Sequence, residues 1–351
     1  MKKLKAGIIG TGMGRLHMEG YAKDPRVEIV AICDLNRQEA EEFAKKYGAK
    51  YVFTDYKKIL EVEEIDLVSI AVPNYLHAPM SIAALKSEKH VLCEKPMATN
   101  FKDALSMVKA AKKAKRRLMI HMSMRFRSSS YVIKKLINVG LLGKIYYGKS
   151  SWLRRRGTPV IDFPSTGIMG RGDWFVQKEK SGGGAIMDIG VHMYDLIWWL
   201  MGCPEITYVS GSTYAEITPP RFKEKGVYAD VDELSSALVK FKNGTSIFFE
   251  VSWDTYTEPG INLQIFGNKA GIKWQDSSLT LFREEEGIPT TTNIAIPPKE
   301  SIETSYQHFV SSILKEDMKM IGSGEECIEV MKVLEAIKQS AEEKRPIIFS
   351  S

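Results

Sequence analysis

Ala6-Gly7-Ile8-Ile9-Gly10-Thr11-Gly12-Met13-Gly14-Arg15 is the stretch on which the fold turns. Leu4–Ile9 reads as a short apolar strand, and Gly14–Lys23 reads as a helix. A glycine-rich turn between such elements lets backbone N–H groups approach a pyrophosphate at the helix N-terminus. The spacing departs from the usual G-x-G-x-x-G. The third glycine arrives one residue early, and Arg15 stands where glycine or alanine is expected. The context supplies what the spacing lacks. A second apolar strand, Val27–Cys33, closes on Asp34, 20 residues beyond Gly14. An acid there accepts hydrogen bonds from adenosine ribose hydroxyls and repels a 2′-phosphate, which favours NAD. Arg37 could pair with such a phosphate, so NADP stays open. Gly10, Thr11, Gly12, Met13, Gly14, Asp34 and Arg37 are the expected contacts of the dinucleotide.

Working outward, strand and helix signals alternate. Arg37–Tyr47 is a helix ending at Gly48, Leu67–Val72 a strand stopped by Pro73-Asn74, and His77–Ser87 a helix. His90–Cys93 and Leu118–His121 are strands around the helix Phe101–Lys115. This rhythm implies a doubly wound parallel sheet, an α/β Rossmann domain over residues 1–124. The rhythm changes near Met124–Arg127. Beyond it, alternating strands dominate, several joined by turn signals such as Lys242-Asn243-Gly244, and helices near Ser305–Lys315 and Glu325–Lys344 close the chain. Residues 125–351 are therefore expected to form an α+β domain with an open, mostly antiparallel sheet that binds substrate.

Composition agrees. The 351 residues are 44% apolar and 26% charged, the balance of a globular protein of roughly two domains. The net charge of +6 is mild and spread, compatible with an anionic cofactor or substrate but too diffuse for nucleic acid. Four cysteines form no C-x-x-C pair, and Cys33 and Cys93 sit in apolar strands. They read as reduced cysteines of a cytoplasmic protein. No signal peptide is read at Met1-Lys2-Lys3-Leu4-Lys5, and Ile186–Met201 is too short and too charged to span a membrane. Histidines are few and scattered, so no metal site is expected.

Three further stretches place polar residues beside apolar runs: Val72-Pro73-Asn74-Tyr75-Leu76-His77, Cys93-Glu94-Lys95-Pro96, and Gly182-Gly183-Gly184 leading to Asp188, His192 and Asp195. The first two follow strand ends, where open parallel sheets bind ligands. With these segments the chain resembles the Gfo/Idh/MocA oxidoreductases, and the resemblance runs on through Asp232-Glu233, Phe266-Gly267 and Ser323-Gly324-Glu325-Glu326. It implies a nicotinamide-binding Rossmann domain and a second domain whose sheet serves as the interface of a homodimer or homotetramer. The implied reaction moves hydride between a secondary alcohol of a sugar, inositol or related polyol and the nicotinamide. It places Lys95, Asp188 and His192 in the catalytic constellation.

The residue types suit that chemistry. His192 is the natural base, Lys95 can stabilise a developing alkoxide, and Asp188 can orient the pair. In a helix, Asp188 and His192 share a face at i and i+4. Pro73, Asn74, His77, Glu94 and Lys95 complete the expected cofactor contacts, with His77 read equally as the start of its helix. Arg125, Trp174, Asp188, His192 and Asp195 are the expected substrate contacts. Arg154-Arg155-Arg156 reads as a solvated face or a binder of an acidic sugar. The loop over 158–173 is expected to line the pocket. Two other activities fit the same scaffold: an NAD-dependent glycosidase and a non-catalytic sugar-sensing regulator.

Overall fold

The computed structural model describes residues 3–159 and 172–349, so most of the loop over 158–173 lies outside the described residues. Six strands form the first sheet: β1 (Leu4–Ile9), β2 (Val27–Cys33), β3 (Tyr51–Phe53), β4 (Leu67–Ile70), β5 (His90–Cys93) and β6 (Leu118–Ile120). All pairs are parallel, in the order β3-β2-β1-β4-β5-β6. Every residue of β4 and β6 is buried, because helices cover both faces. The covering helices begin and end where local chemistry dictates. Helix Arg37–Tyr47 starts where the Asn36 side chain accepts from Glu39 N and stops at Gly48, whose φ of 73° suits glycine. The strand order reverses between β1 and β4, and in an open parallel sheet that reversal leaves a crevice. The glycine turn after β1 and the Pro73-Asn74 segment after β4 are its two lips.

The second sheet has nine strands: β7 (Ile145–Leu153), β8 (Ile206–Tyr214), β9 (Leu234–Phe241), β10 (Ser246–Ser252), β11 (Gly260–Gly267), β12 (Ala270–Gln275), β13 (Ser278–Glu285), β14 (Ile288–Asn293) and β15 (Ile347–Ile348). Their order is β14-β13-β12-β11-β7-β10-β9-β8-β15. Neighbours are antiparallel except β7 and β10, which run parallel with Leu153 opposite Ser252. One face, exemplified by Ile247, Phe249 and Val251 of β10, is buried. Helices Val191–Leu200 and Gly324–Glu343 pack against the sheet. The register puts Phe282, Phe266 and Tyr147 in one row across the other face.

The sequence reading divides the chain at 124/125, but after the second sheet the chain returns to the first. Helix Ser305–Leu314 packs on the helix Gly14–Ala22. Arg26 donates to Ser311 Oγ at 3.0 Å and to Gln307 O at 3.2 Å. Phe309 and Val310 are buried with Ala6 and Ile8, a burial that stabilises by roughly 2 kcal/mol per side chain. Elements β3, β14 and β15 are absent from the sequence reading. β3 is only three residues long, and β14 is an exposed edge of threonines.

Candidate active site

The glycine turn has the shape a pyrophosphate needs. Gly10 has φ 90°, and a Cβ there would stand 2.3 Å from the Ala71 carbonyl oxygen. At Gly14 a Cβ would stand 3.0 Å from Ile8 Cγ2, so the helix lies close on its strand. Asp34 closes the turn: its Oδ2 accepts from Thr11 N at 2.7 Å and Thr11 Oγ1 at 2.8 Å, and its Oδ1 accepts from Asn36 N at 2.8 Å. Met13 and Leu35 are exposed beside it. Arg15, in the first turn of the helix, has a buried Nε without a partner among the described residues. A phosphate oxygen would give that donor an acceptor. These residues fit a dinucleotide. Arg37 turns to Glu41 at 2.8 Å on the exposed helix surface, so the 2′-phosphate contact that left NADP open is not preformed.

The residues expected to react meet across the two domains. Lys95 follows β5, and its peptide bond to Pro96 is cis. Lys95 Nζ donates at 3.0 Å to both the carbonyl oxygen and the Oδ1 of Asp188. Asp188 sits in a single π-helical turn, Ile186–Gly190, ahead of the α-helix Val191–Leu200. Asp232 holds the start of this turn by accepting from Gly184 N at 2.7 Å and Ile186 N at 2.9 Å. A Cβ on Gly184 would come within 1.8 Å of the Asp232 carbonyl oxygen, which is why a glycine stands there. Asp188 Oδ2 accepts from Trp253 Nε1 at 3.0 Å, and Arg154 Nη1 lies 3.8 Å from it. Burial opposes ionisation of Asp188, but Lys95, Arg154 and these hydrogen bonds bring its pKa down to about 2. His192 lies one turn on, its ring centroid 6.4 Å from that of Trp152 and its Nδ1 buried without a partner among the described residues. Burial, then the positive charge of Lys95, pushes its pKa down to about 3, so the imidazole is neutral.

Several expected contacts lie elsewhere. His77 is buried, with Nδ1 2.7 Å from Pro96 O and Nε2 2.8 Å from Val72 O. It ties two strand-end segments together instead of facing the cofactor crevice. Asn74, also buried, donates to Ser181 O at 2.8 Å and joins the two domains, while Pro73 stays half-buried at the lip. Glu94 points inward: its Oε1 accepts from His17 Nε2 and His121 Nδ1, both at 2.8 Å. Despite burial, the two histidines hold its carboxyl well below the usual range. The fold thus gathers a trio that scattered positions in the sequence concealed. Its N···O separations are hydrogen-bond lengths.

Arg125 and Asp195 also move from the substrate side to the core. Arg125 donates from Nε at 2.9 Å and from Nη2 at 2.6 Å to Asp195, and from Nη1 at 2.5 Å to Glu326. Neither side chain of the Arg125–Asp195 pair is exposed, so neither can touch a sugar. Trp174 stacks on Phe175 with centroids 3.8 Å apart, and no hydrogen bond among the described residues links it to Lys95, Asp188 or His192. Trp253 is the site residue that sequence reasoning did not name, and Arg154 is the one member of the run 154–156 that reaches Asp188. They reach Asp188 from the ends of the parallel pair β10 and β7, a pairing with no local signal.

Comparisons with known proteins accord with this geometry. Residues 4–122 match the Gfo/Idh/MocA model described as an oxidoreductase family, NAD-binding Rossmann fold. Residues 134–349 match its C-terminal alpha/beta domain. D-glucoside 3-dehydrogenase of Escherichia coli (strain K12) is 27% identical over 350 residues, covering 97% of this chain and 95% of that protein. Levoglucosan dehydrogenase of Pseudarthrobacter phenanthrenivorans is 29% identical over 297 residues, covering 78% and 73%. A solved levoglucosan dehydrogenase in complex with NADH and levoglucosan has the same fold, with a TM-score of 0.86 at 23% identity and 100% of both chains covered.

Proposed function

We propose that this chain, which belongs to the Gfo/Idh/MocA oxidoreductase family, is an NAD-dependent dehydrogenase acting on a secondary alcohol of a sugar or related polyol. The observation that carries the reading is the contact of Lys95 with Asp188 at 3.0 Å, with His192 one turn away. Relatives named for a glucoside and for levoglucosan support the substrate class. NAD, when bound, supplies the carbon that takes the hydride. The chain's own residues handle the oxygen and its proton. An ammonium has three N–H donors; Lys95 gives two to Asp188 and keeps the third for the alcohol oxygen, whose negative charge grows as the proton leaves. His192, neutral at physiological pH, accepts that proton. Asp188 offsets the positive charge that builds up between Lys95 and His192, and Trp253 keeps its carboxylate aimed.

Two finer readings belong to the same proposal. The open face of the nine-stranded sheet is the contact of a homodimer or homotetramer. Phe282 and Phe248 are exposed there, and Tyr147 and Phe266 pack ring against ring. The cytoplasm is the compartment, in accord with four unpaired cysteines. The test is NADH formation over a panel of sugars, inositols and sugar acids, run beside release of the aryl group from aryl glycosides. Turnover of a free sugar with net NADH formation is the expected result. Glycoside cleavage without net NADH would overturn the dehydrogenase reading.

A further inference from the structure

β7 ends at Leu153, and Arg154 continues the parallel pairing by donating its backbone N–H to Ser252 O at 2.9 Å. This carries its side chain to the site. The guanidinium lies over the Trp152 ring at 4.7 Å from its centroid. Nη1 donates to Gly157 O at 3.1 Å. A Cβ on Gly157 would stand 2.5 Å from Arg154 Cδ, so the glycine leaves room for the arginine stem. Three neighbours therefore fix one rotamer: an aromatic face, a carbonyl and a space only glycine provides. The neighbouring arginines turn elsewhere. Arg156 reaches Tyr256 and Asp254, and Arg155 is exposed.

Both oxygens of Asp188 are already engaged, by Lys95 and by Trp253. Arg154 comes within 3.8 Å of Oδ2 without a hydrogen bond to it. Its Nε and Nη2 have no acceptor among the described residues, and the side chain is 29% exposed. Among the described residues, Lys95 and Arg154 are two cations beside the one carboxylate of Asp188, and His192 is neutral. A neutral sugar would leave one positive charge unmatched. The planar guanidinium, prefixed and with donors to spare, suits a carboxylate or a phosphate.

We infer that Arg154 recognises an anionic group on the substrate, which makes the substrate a sugar acid or a sugar phosphate. This rests on the proposed dehydrogenase reading only for where the sugar sits. The experiment uses the 351-residue chain with matched probes: glucose, glucuronate and glucose 6-phosphate. Each is titrated into the enzyme–NADH complex by calorimetry, and each is assayed with NAD for turnover. The wild type should favour a charged probe over glucose by about tenfold or more, the scale of a hydrogen bond to a charged group. The preferred probe separates carboxylate from phosphate. Arg154→Gln should abolish the preference, Arg154→Lys should keep part of it, and Gly157→Ala should weaken it by displacing the stem. NADH affinity should stay unchanged in each, which also shows that the variants fold. Glucose bound and turned over as well as either charged probe overturns the inference, as does a preference that survives Arg154→Gln. Arg154-dependent binding of a charged probe without turnover of any sugar leaves the anion subsite standing and removes the dehydrogenase reading instead.

Discussion

Asp188→Asn keeps the shape of the side chain and removes its charge. The carboxylate is held at a pKa of about 2 against an ordinary 3.8, although burial alone would raise it. That net drop corresponds to roughly 2.5 kcal/mol in favour of the ionised form. An amide cannot reproduce the contacts. If its oxygen keeps Lys95 Nζ at 3.0 Å, its NH2 faces the Trp253 N–H, also at 3.0 Å, donor against donor. If it flips, its NH2 faces the ammonium. His192 would then accept a proton beside Lys95 with no negative charge to offset it, and Asp188 is one of the groups that raises its basicity. We expect kcat/KM to fall by about 70-fold, the equivalent of about 2.5 kcal/mol in the transition state. The assay is initial-rate NADH formation on the best substrate of the panel, with NADH affinity measured by fluorescence titration. Affinity should change little, because Asp188 lies in the other domain from the glycine turn. A kcat/KM within about threefold of the wild type would show that the ion pair takes no part in the transition state and would refute the reasoning.

Gly10→Ala should reduce NADH affinity by about tenfold or more and lower stability by roughly 1–3 kcal/mol, because the new Cβ meets the Ala71 carbonyl oxygen at 2.3 Å with φ at 90°; titration and thermal unfolding check both. Arg125→Met should cost about 3–5 kcal/mol by leaving Asp195 buried without its partner. Thermal unfolding reads that loss, and a raised KM with an unchanged Tm would return Arg125 to the substrate side. Stability should also fall with acid. Burial keeps His17 and His77 below the ordinary value of 6.5 and is the main cause that holds His192 near 3. The unfolded chain therefore binds more protons as pH drops below that value, and stability decreases in the same direction. At about pH 5 His192 alone removes roughly 2 kcal/mol. Urea midpoints at about pH 7.5 and about pH 5 should show the drop, and equal midpoints would contradict it.

The parts legible in the sequence are those governed by near neighbours. The glycine turn, the strands that feed it and the i, i+4 relation of Asp188 to His192 are all written within a dozen or so residues. Trp253 was not legible as a site residue, and the run Arg154-Arg155-Arg156 reads equally as a solvated face, with nothing local to single out Arg154. Trp253 and Arg154 meet Asp188 only because β7 and β10 pair in parallel, about a hundred residues apart in sequence. The same limit explains Arg125 and Asp195. Each is a charged residue close to a segment expected to be catalytic, and nothing local shows that they neutralise one another across 70 positions. Glu94, His17 and His121 look scattered until the parallel order β1-β4-β5-β6 brings the helix after β1 together with the ends of β5 and β6. The π-helical turn at Ile186–Gly190 was missed because its period differs by less than one residue from that of the α-helix that follows.

Glu94, which His17 and His121 hold, sits one residue before Lys95. It binds together the helix of the glycine turn, the end of β5 and the end of β6. The lysine is thereby tied by hydrogen bonds to the elements that carry the glycine turn, while Asp188, His192, Arg154 and Trp253 belong to the second domain. On the proposed reading, the Lys95–Asp188 ion pair bridges hydride chemistry and sugar recognition, beside the Asn74–Ser181 hydrogen bond. New substrates can in principle be acquired by remodelling the second domain alone, with the lysine acting as the fixed gauge against which every new pocket must be aligned.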